Sequence, residues 1–155
     1  MKIKTRKYYL AYGMNTNKDS MQVRCPAAES LGKVTLKNHR LTFQRVCDAE
    51  YQPGASMECA LWTITDECER SLDLLEGFPD FYGKKEVTVD WQGRKIRAMI
   101  YYMKDFYGYE VPSEYYLNTV TQGYFQHDMP IMQIIESLED LSKCTLLRDK
   151  IKQNA

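Results

Sequence analysis

Four short segments between residues 33 and 64 alternate apolar and polar residues, and this pattern constrains the fold more than any other in the chain. The segments are Lys33–Leu36, Arg40–Phe43, Val46–Tyr51 and Met57–Ile64. A period of two is typical of strands that bury one face. Turns are predicted between these segments, at Lys37–His39 and Gln52–Gly54. The second prediction is the stronger, because proline pre-sets the backbone and glycine accepts a positive φ.

Two further patterns add strands to this sheet. Lys7–Tyr12 is aromatic and apolar, and Gly13 and a polar stretch follow it, which predicts a buried strand ending in a turn. Lys85–Val89 and Lys95–Met103 flank Asp90–Gly93 and predict a long hairpin.

Four segments have the signals of helices. A short helix is expected at Lys18–Arg24, before the break at Cys25-Pro26. Thr65 begins a helix that Gly77 ends. Pro112–Glu114 begins another, which runs to about His127 with an interruption at Gly123. Pro130 begins the last, whose apolar face is Ile131, Ile134, Ile135, Leu138 and Leu141.

Length, charge and cysteine content restrict the class of protein. A chain of 155 residues with 44% hydrophobic residues suits one domain, residues 1–155, with a frayed polar tail at 148–155. The 21 Lys and Arg residues balance the 21 Asp and Glu residues, so the formal net charge is zero. We therefore expect a small-molecule partner and neither nucleic acid nor membrane. The five cysteines lack a C-x-x-C pair and, with no secretory signal before Gly13, predict a cytoplasmic protein. His39 and His127 are too few and too far apart for a metal site.

Glu76 occupies an unfavourable position for a carboxylate. It falls on the last turn of the helix that begins at Thr65, where the negative end of the helix dipole opposes a negative side chain. An ordinary solvated glutamate is one interpretation, and a functional acid is the other.

Several segments in one order resemble the γ-glutamyl cyclotransferase family, including γ-glutamylamine cyclotransferases and AIG2-like proteins. Tyr9–Asn15 is similar to the family's Y-x-A-Y-G-S-N loop, and Leu72–Gly77 is similar to its L-D-x-x-E-G. Arg24–Pro26 and Ala60–Trp62 also follow the family's order. The resemblance implies an α+β, single-domain fold with a small mixed barrel of six or seven strands flanked by helices.

The resemblance also implies a function and a site. The implied reaction releases 5-oxoproline and an amine or amino acid from a γ-glutamyl compound, without a cofactor, and Glu76 would be its acid and base. The substrate-binding residues would be Tyr9, Leu10, Ala11, Tyr12, Gly13, Met14, Asn15, Tyr82 and Tyr116, with Tyr115 replacing Tyr116 if the register is shifted by one.

One departure from the family keeps a second function open. Met14 stands where the family has serine, so a hydroxyl contact to the substrate would be lost while backbone donors would remain. The alternative to an enzyme is therefore a non-catalytic protein of the same fold that binds a ligand or a peptide end. The sequence leaves the leaving amine and the oligomeric state open.

Overall fold

One mixed β-sheet organises residues 5–141, which are the part of the chain that the computed structural model describes. Its strands are β1 (Arg6–Ala11), β2 (Glu29–Gln44), β3 (Val46–Thr65), β4 (Tyr82–Trp91) and β5 (Arg94–Met103). They lie in the order β2-β3-β1-β5-β4. The first strand pairs antiparallel with β3 and parallel with β5, which places it at the centre of the sheet. With helices against this sheet, the predicted α+β class is confirmed.

The four short segments of the sequence form only two long strands, and for this reason the described sheet has five strands instead of six or seven. The predicted turns at Lys37–His39 and Gln52–Gly54 are wrong, because both stretches lie inside strands, opposite each other. Asn38 and Gly54 have positive φ angles of 62° and 86°, and Asn38 Oδ1 accepts a 3.0 Å hydrogen bond from the Gly54 amide. Turn-forming residues here build a bulge in a continuous ribbon.

The sheet curls strongly although strand pairing does not close it within residues 5–141. Its two edge strands, β2 and β4, approach each other. Lys85 Nζ on β4 donates a 2.8 Å hydrogen bond to His39 Nε2 on β2. Side chains therefore bridge the gap that backbone pairing leaves open.

The helices begin where their capping residues predict. They are a short 3-10 helix (Met14–Thr16), α1 (Lys18–Arg24), α2 (Asp66–Leu75), α3 (Glu114–Gln126) and a last helix described over residues 131–141. Asn17, Thr65 and Ser113 cap α1, α2 and α3, and each side-chain oxygen accepts a hydrogen bond from a backbone amide of the first turn. None of the described helices is long and apolar enough to cross a membrane.

The last helix packs against the core through most of its predicted face. Ile134 and Leu141 are buried, Ile131 and Leu138 are partly buried, and Ile135 is 38% exposed. The tail predicted at 148–155 lies outside the described residues.

Gly123 allows α3 to pack directly on the turn that follows β1. The predicted interruption of the helix at this residue is wrong, because α3 is continuous from Glu114 to Gln126. A Cβ atom at position 123 would lie 2.6 Å from the backbone nitrogen of Asn17 and would also collide with Thr16. The glycine is therefore required by a close contact between backbones.

We expect Gly123→Ala to lower the free energy of unfolding by about 1–3 kcal/mol through this overpacking. The sign of this change in the free energy of unfolding distinguishes a crowded site from an open one, because Gly→Ala inside an unobstructed helix stabilises a protein by up to about 1 kcal/mol. Denaturant unfolding would measure it, with Asn118→Ala on the exposed side of α3 as the matched control. A more stable Gly123→Ala protein would contradict the close packing.

Candidate active site

Several strands and helices of the fold meet at a cavity of about 200 Å³. Its walls come from the end of β1 and the turn after it, the start of β3, the end of α2, and residues of β4, β5 and α3. Five tyrosines contribute to it: Tyr9, Tyr12, Tyr82, Tyr101 and Tyr116. The cavity is thus largely aromatic, and its only carboxylate and only strongly basic side chain among the lining residues are Glu76 and Arg24.

Most of the residues predicted from the sequence line this one cavity. They are Tyr9, Tyr12, Gly13, Met14, Asn15, Glu76, Tyr82 and Tyr116. Leu10 and Ala11 are buried in the core and do not line it; Leu10 points to the opposite face of the sheet from Tyr9, as alternation along a strand requires. Tyr115 is 73% exposed, so the ring at the cavity belongs to Tyr116.

The end of α2 places Glu76 at the cavity. Glu76 is the C-terminal capping residue of this helix, and its amide still donates a 2.8 Å hydrogen bond to the carbonyl of Leu72. Gly77 then adopts a φ of 62°, which turns the chain away from the helix. The side chain of Glu76 lies among the cavity residues, not in open solvent.

Burial is the main influence on the charge of Glu76. Desolvation raises the pKa of its carboxyl to about 7, and the nearby guanidinium of Arg24 and the hydrogen bond from Asn15 oppose that rise. A carboxyl with a pKa near 7 is present in both protonation states at neutral pH. Glu76 can therefore accept a proton in one step and return it in the next.

Asn15 connects Glu76 to the rest of the site. Its side-chain Nδ2 donates to Glu76 Oε1 at 3.1 Å and to the Tyr9 hydroxyl at 3.0 Å. Its Oδ1 accepts a hydrogen bond from Arg24 Nη1. Arg24 was not among the predicted site residues, although it lies beside the Cys25-Pro26 break at the end of α1, a position that orients it towards the turn after β1.

Backbone groups hold three of the tyrosines in place. The hydroxyl of Tyr12 donates to the carbonyl of Tyr101, and that of Tyr82 donates to the carbonyl of Cys47, both at 2.7 Å. The Tyr116 hydroxyl accepts a 2.9 Å hydrogen bond from the Cys47 amide. Burial raises the pKa of each phenol, so these rings form a neutral, fixed wall.

Cys47 and Tyr101 are further cavity residues that the sequence did not assign to the site. The Cys47 amide bonds to Tyr116 and its carbonyl bonds to Tyr82, and no side-chain pattern can reveal such backbone contacts. Burial also raises the pKa of the Cys47 thiol to about 12, so it is a neutral wall residue instead of a nucleophile. Within residues 5–141, no group of three or more His, Cys, Asp or Glu side chains is arranged to hold a metal ion.

The turn after β1 presents two unused backbone donors. In the 3-10 helix, the Thr16 amide donates to the Gly13 carbonyl at 3.0 Å, while the amides of Met14 and Asn15 have no acceptor among residues 5–141. Orphan amides at the start of a helix can receive an oxygen that carries negative charge.

Gly13 permits close contact between this turn, β3 and α3. A Cβ atom at position 13 would lie 2.9 Å from the Tyr116 hydroxyl and 3.0 Å from Cys47 Cβ. We expect Gly13→Ala to lower the free energy of unfolding by about 1–2 kcal/mol, because the Tyr116 hydroxyl must move from the Cys47 amide.

Tyr116→Phe tests this explanation, since it removes the hydroxyl that the new methyl group would strike. The cost of Gly13→Ala, measured by denaturant unfolding, should be smaller in the Tyr116→Phe background than in the wild type. Additive costs would show that Tyr116 is not the obstacle.

The comparisons with known proteins relate this cavity to a family. A family model described as γ-glutamyl cyclotransferase, AIG2-like, matches residues 9–125, a range that includes the whole cavity wall. No curated protein sequence matches the chain.

Solved structures share the fold. A structure titled γ-glutamyl cyclotransferase has 24% identity and a TM-score of 0.73 over 83% of each chain. An uncharacterized protein from Homo sapiens has 25% identity and a TM-score of 0.71, over 82% of this chain and 83% of its own. YkqA from Bacillus subtilis has 20% identity and a TM-score of 0.73, over 88% of this chain and 54% of its own.

Proposed function

Because the chain belongs to the γ-glutamyl cyclotransferase, AIG2-like family, we propose that it converts a γ-glutamyl compound into 5-oxoproline and a free amine or amino acid. The observation that supports this most is that Glu76 and the turn after β1 line one cavity. The family's reaction needs a proton-transfer group and a polar turn at the same substrate.

In this reaction the α-amine of the γ-glutamyl group attacks the γ-carbonyl carbon of the same molecule. A new C–N bond closes the five-membered ring, and Glu76 accepts the proton that the amine loses. Glu76 then donates that proton to the leaving nitrogen as the original amide C–N bond breaks. Since both reacting groups belong to one molecule, holding the reactive conformer can contribute roughly 7–11 kcal/mol.

The turn after β1 would bind the oxygen that becomes negative during attack. The amides of Met14 and Asn15 are available to donate to it, and their positions are fixed before the substrate arrives. The ring faces of Tyr12, Tyr82 and Tyr116 would exclude water and confine the substrate's carbon chain.

The cavity size agrees with a small substrate. Its volume of about 200 Å³ is below the range of roughly 300–1,000 Å³ that is usual for drug-sized ligands. We infer that the γ-glutamyl part fills the cavity while the leaving amine extends to the mouth, where Leu75 and Phe81 are partly exposed.

A second candidate is a non-catalytic ligand-binding role, and Met14 is the observation that favours it. Its side chain lines the cavity where the family has the smaller serine. A methionine there occupies volume and offers no hydroxyl to a substrate.

The test is to incubate the purified protein with γ-glutamyl amino acids, γ-glutamylamines and glutathione and to measure 5-oxoproline by mass spectrometry. We expect release from at least one member of the panel. Absence of release from every member by a folded protein, together with calorimetric binding of one of them, would favour the second candidate.

A further inference from the structure

The side-chain amide of Asn15 makes three hydrogen bonds at the centre of the site, and both of its N–H donors are used. It is 4% exposed, and its three bonds go to Arg24, Glu76 and Tyr9. Both N–H groups are therefore used inside the protein, and the amide has no donor left for a substrate unless it loses one of these bonds.

Arg24 determines which way this amide points. A guanidinium has only donors, so the group that faces it must be the amide oxygen. The NH₂ group is then directed to Glu76 and Tyr9. The reverse orientation would place NH₂ against the guanidinium and an oxygen against the Glu76 carboxylate, and both contacts are repulsive.

The fixed amide leaves one oxygen of Glu76 for chemistry. Glu76 Oε1 accepts from Asn15, whereas Oε2 has no hydrogen-bond partner among residues 5–141. Tyr9 is in a similar state: it is 3% exposed, it accepts from Asn15, and its own hydroxyl proton has no acceptor in the described part of the chain. Both free positions belong to residues that line the cavity.

From this geometry we propose that Arg24 is a positioning residue that acts through Asn15 to hold Glu76 with one carboxylate oxygen free for proton transfer. The inference rests on the proposed function for its chemistry, and it adds a residue and a role to it. Arg24 does not need to touch the substrate.

The electrostatic surroundings make Arg24 the group with the largest opposing effect on Glu76. The ionisable groups that act on Glu76 or respond to its charge are Arg24, Tyr9, Tyr12, Cys47, Tyr82 and Tyr101. Burial keeps the phenols and the thiol neutral, so Arg24 is the single charged group in this set that acts on Glu76. Removing it should therefore raise the pKa of Glu76 further.

This change in the pKa of Glu76 can be measured directly, without any substrate turnover. Protein labelled with ¹³C at glutamate carboxyls would be titrated by NMR, and the Glu76 signal identified by its loss in Glu76→Gln. We expect Arg24→Met to raise the pKa of Glu76 by about one unit and Arg24→Lys to change it by less. Arg97→Gln, which removes an exposed cation from β5, is the control and should leave it unchanged.

Kinetics test whether the effect passes through Asn15. Arg24→Met should lower kcat by about 10- to 100-fold, the size expected for a misplaced catalytic group, with little change in KM. Arg24→Lys, which keeps a charge and a donor, should recover most of the rate. In an Asn15→Ala background, Arg24→Met should have less than about a threefold further effect on kcat, because the intermediary is already absent.

Two results would overturn the inference. One is an unchanged Glu76 pKa in Arg24→Met protein that is still folded by circular dichroism. The other is a rise in KM at constant kcat, which would show that Arg24 binds substrate directly. If the wild type releases no 5-oxoproline, the proposed function fails, but the NMR titration of Arg24→Met in the wild-type and Asn15→Ala backgrounds still tests the positioning role, because a shift carried through Asn15 should be smaller in the second background.

Discussion

Glu76→Gln is expected to reduce the rate of 5-oxoproline release by about 10²- to 10⁴-fold, the usual contribution of a general acid and base. Glutamine is nearly the same size as glutamate, and its oxygen can still accept the hydrogen bond from Asn15. The change therefore removes proton transfer and leaves the shape of the cavity intact. The loss should appear in kcat, with KM changed little.

The control for this experiment is Glu67→Gln on the exposed face of the same helix. It makes the same chemical change outside the cavity and should retain nearly full activity. Release of 5-oxoproline by Glu76→Gln at more than about a third of the wild-type rate would remove Glu76 from the mechanism, because such an effect is far below that of a catalytic acid and base.

Local signals in the sequence predict the elements that carry the site. Thr65 at the start of α2 and Gly77 after its end define that helix, since each acts on the backbone within a few residues. Glu76 could be located for the same reason. That it reaches the turn after β1 was a prediction from resemblance, and the structure places Glu76 within 3.1 Å of Asn15.

Structural features that depend on contacts between distant residues could not be predicted from such local signals. The chain reverses between β2 and β3 at Arg45, with a φ of 69°, although neither glycine nor proline is present there. Asn38 and Gly54 have the chemistry of turns but are used in a bulge, because the flanking strands pair over a longer range than any short segment shows. Tertiary pairing here overrides local preference.

The same limit explains why Arg24 was missed. Its partner is Asn15, which lies nine residues away on the other side of a helix, and the contact exists only because α1 folds back on the turn after β1. Its position before Cys25-Pro26 indicates the end of a helix and nothing about charge in the cavity. The contact of one amide with both a guanidinium and a carboxylate exists only in the folded structure.

Glu76→Gln is also expected to make the protein more stable, and increasingly so as pH rises. Burial raises the pKa of the Glu76 carboxyl from 4.5 to about 7 in the folded protein, so between these values the folded state binds more protons than the unfolded state. The wild type therefore loses stability as pH rises through this window, whereas a neutral glutamine does not titrate. From about pH 5.5 to 8.5, the variant should gain about 1–2 kcal/mol relative to the wild type, after allowance for partial exposure of the carboxylate.

Denaturant unfolding of both proteins at several pH values in this range would measure that difference, with Glu67→Gln again as the control for loss of a surface charge. The control should show no comparable dependence on pH. A difference between Glu76→Gln and wild type that stays constant from pH 5.5 to 8.5 would mean that Glu76 is solvated in the folded protein. A solvated carboxyl would keep an ordinary pKa and would be almost fully ionised at neutral pH. It would then be a weak base and a poor donor of a proton to the leaving nitrogen. The stability curve thus tests, without any substrate, the same burial that the proposed chemistry requires.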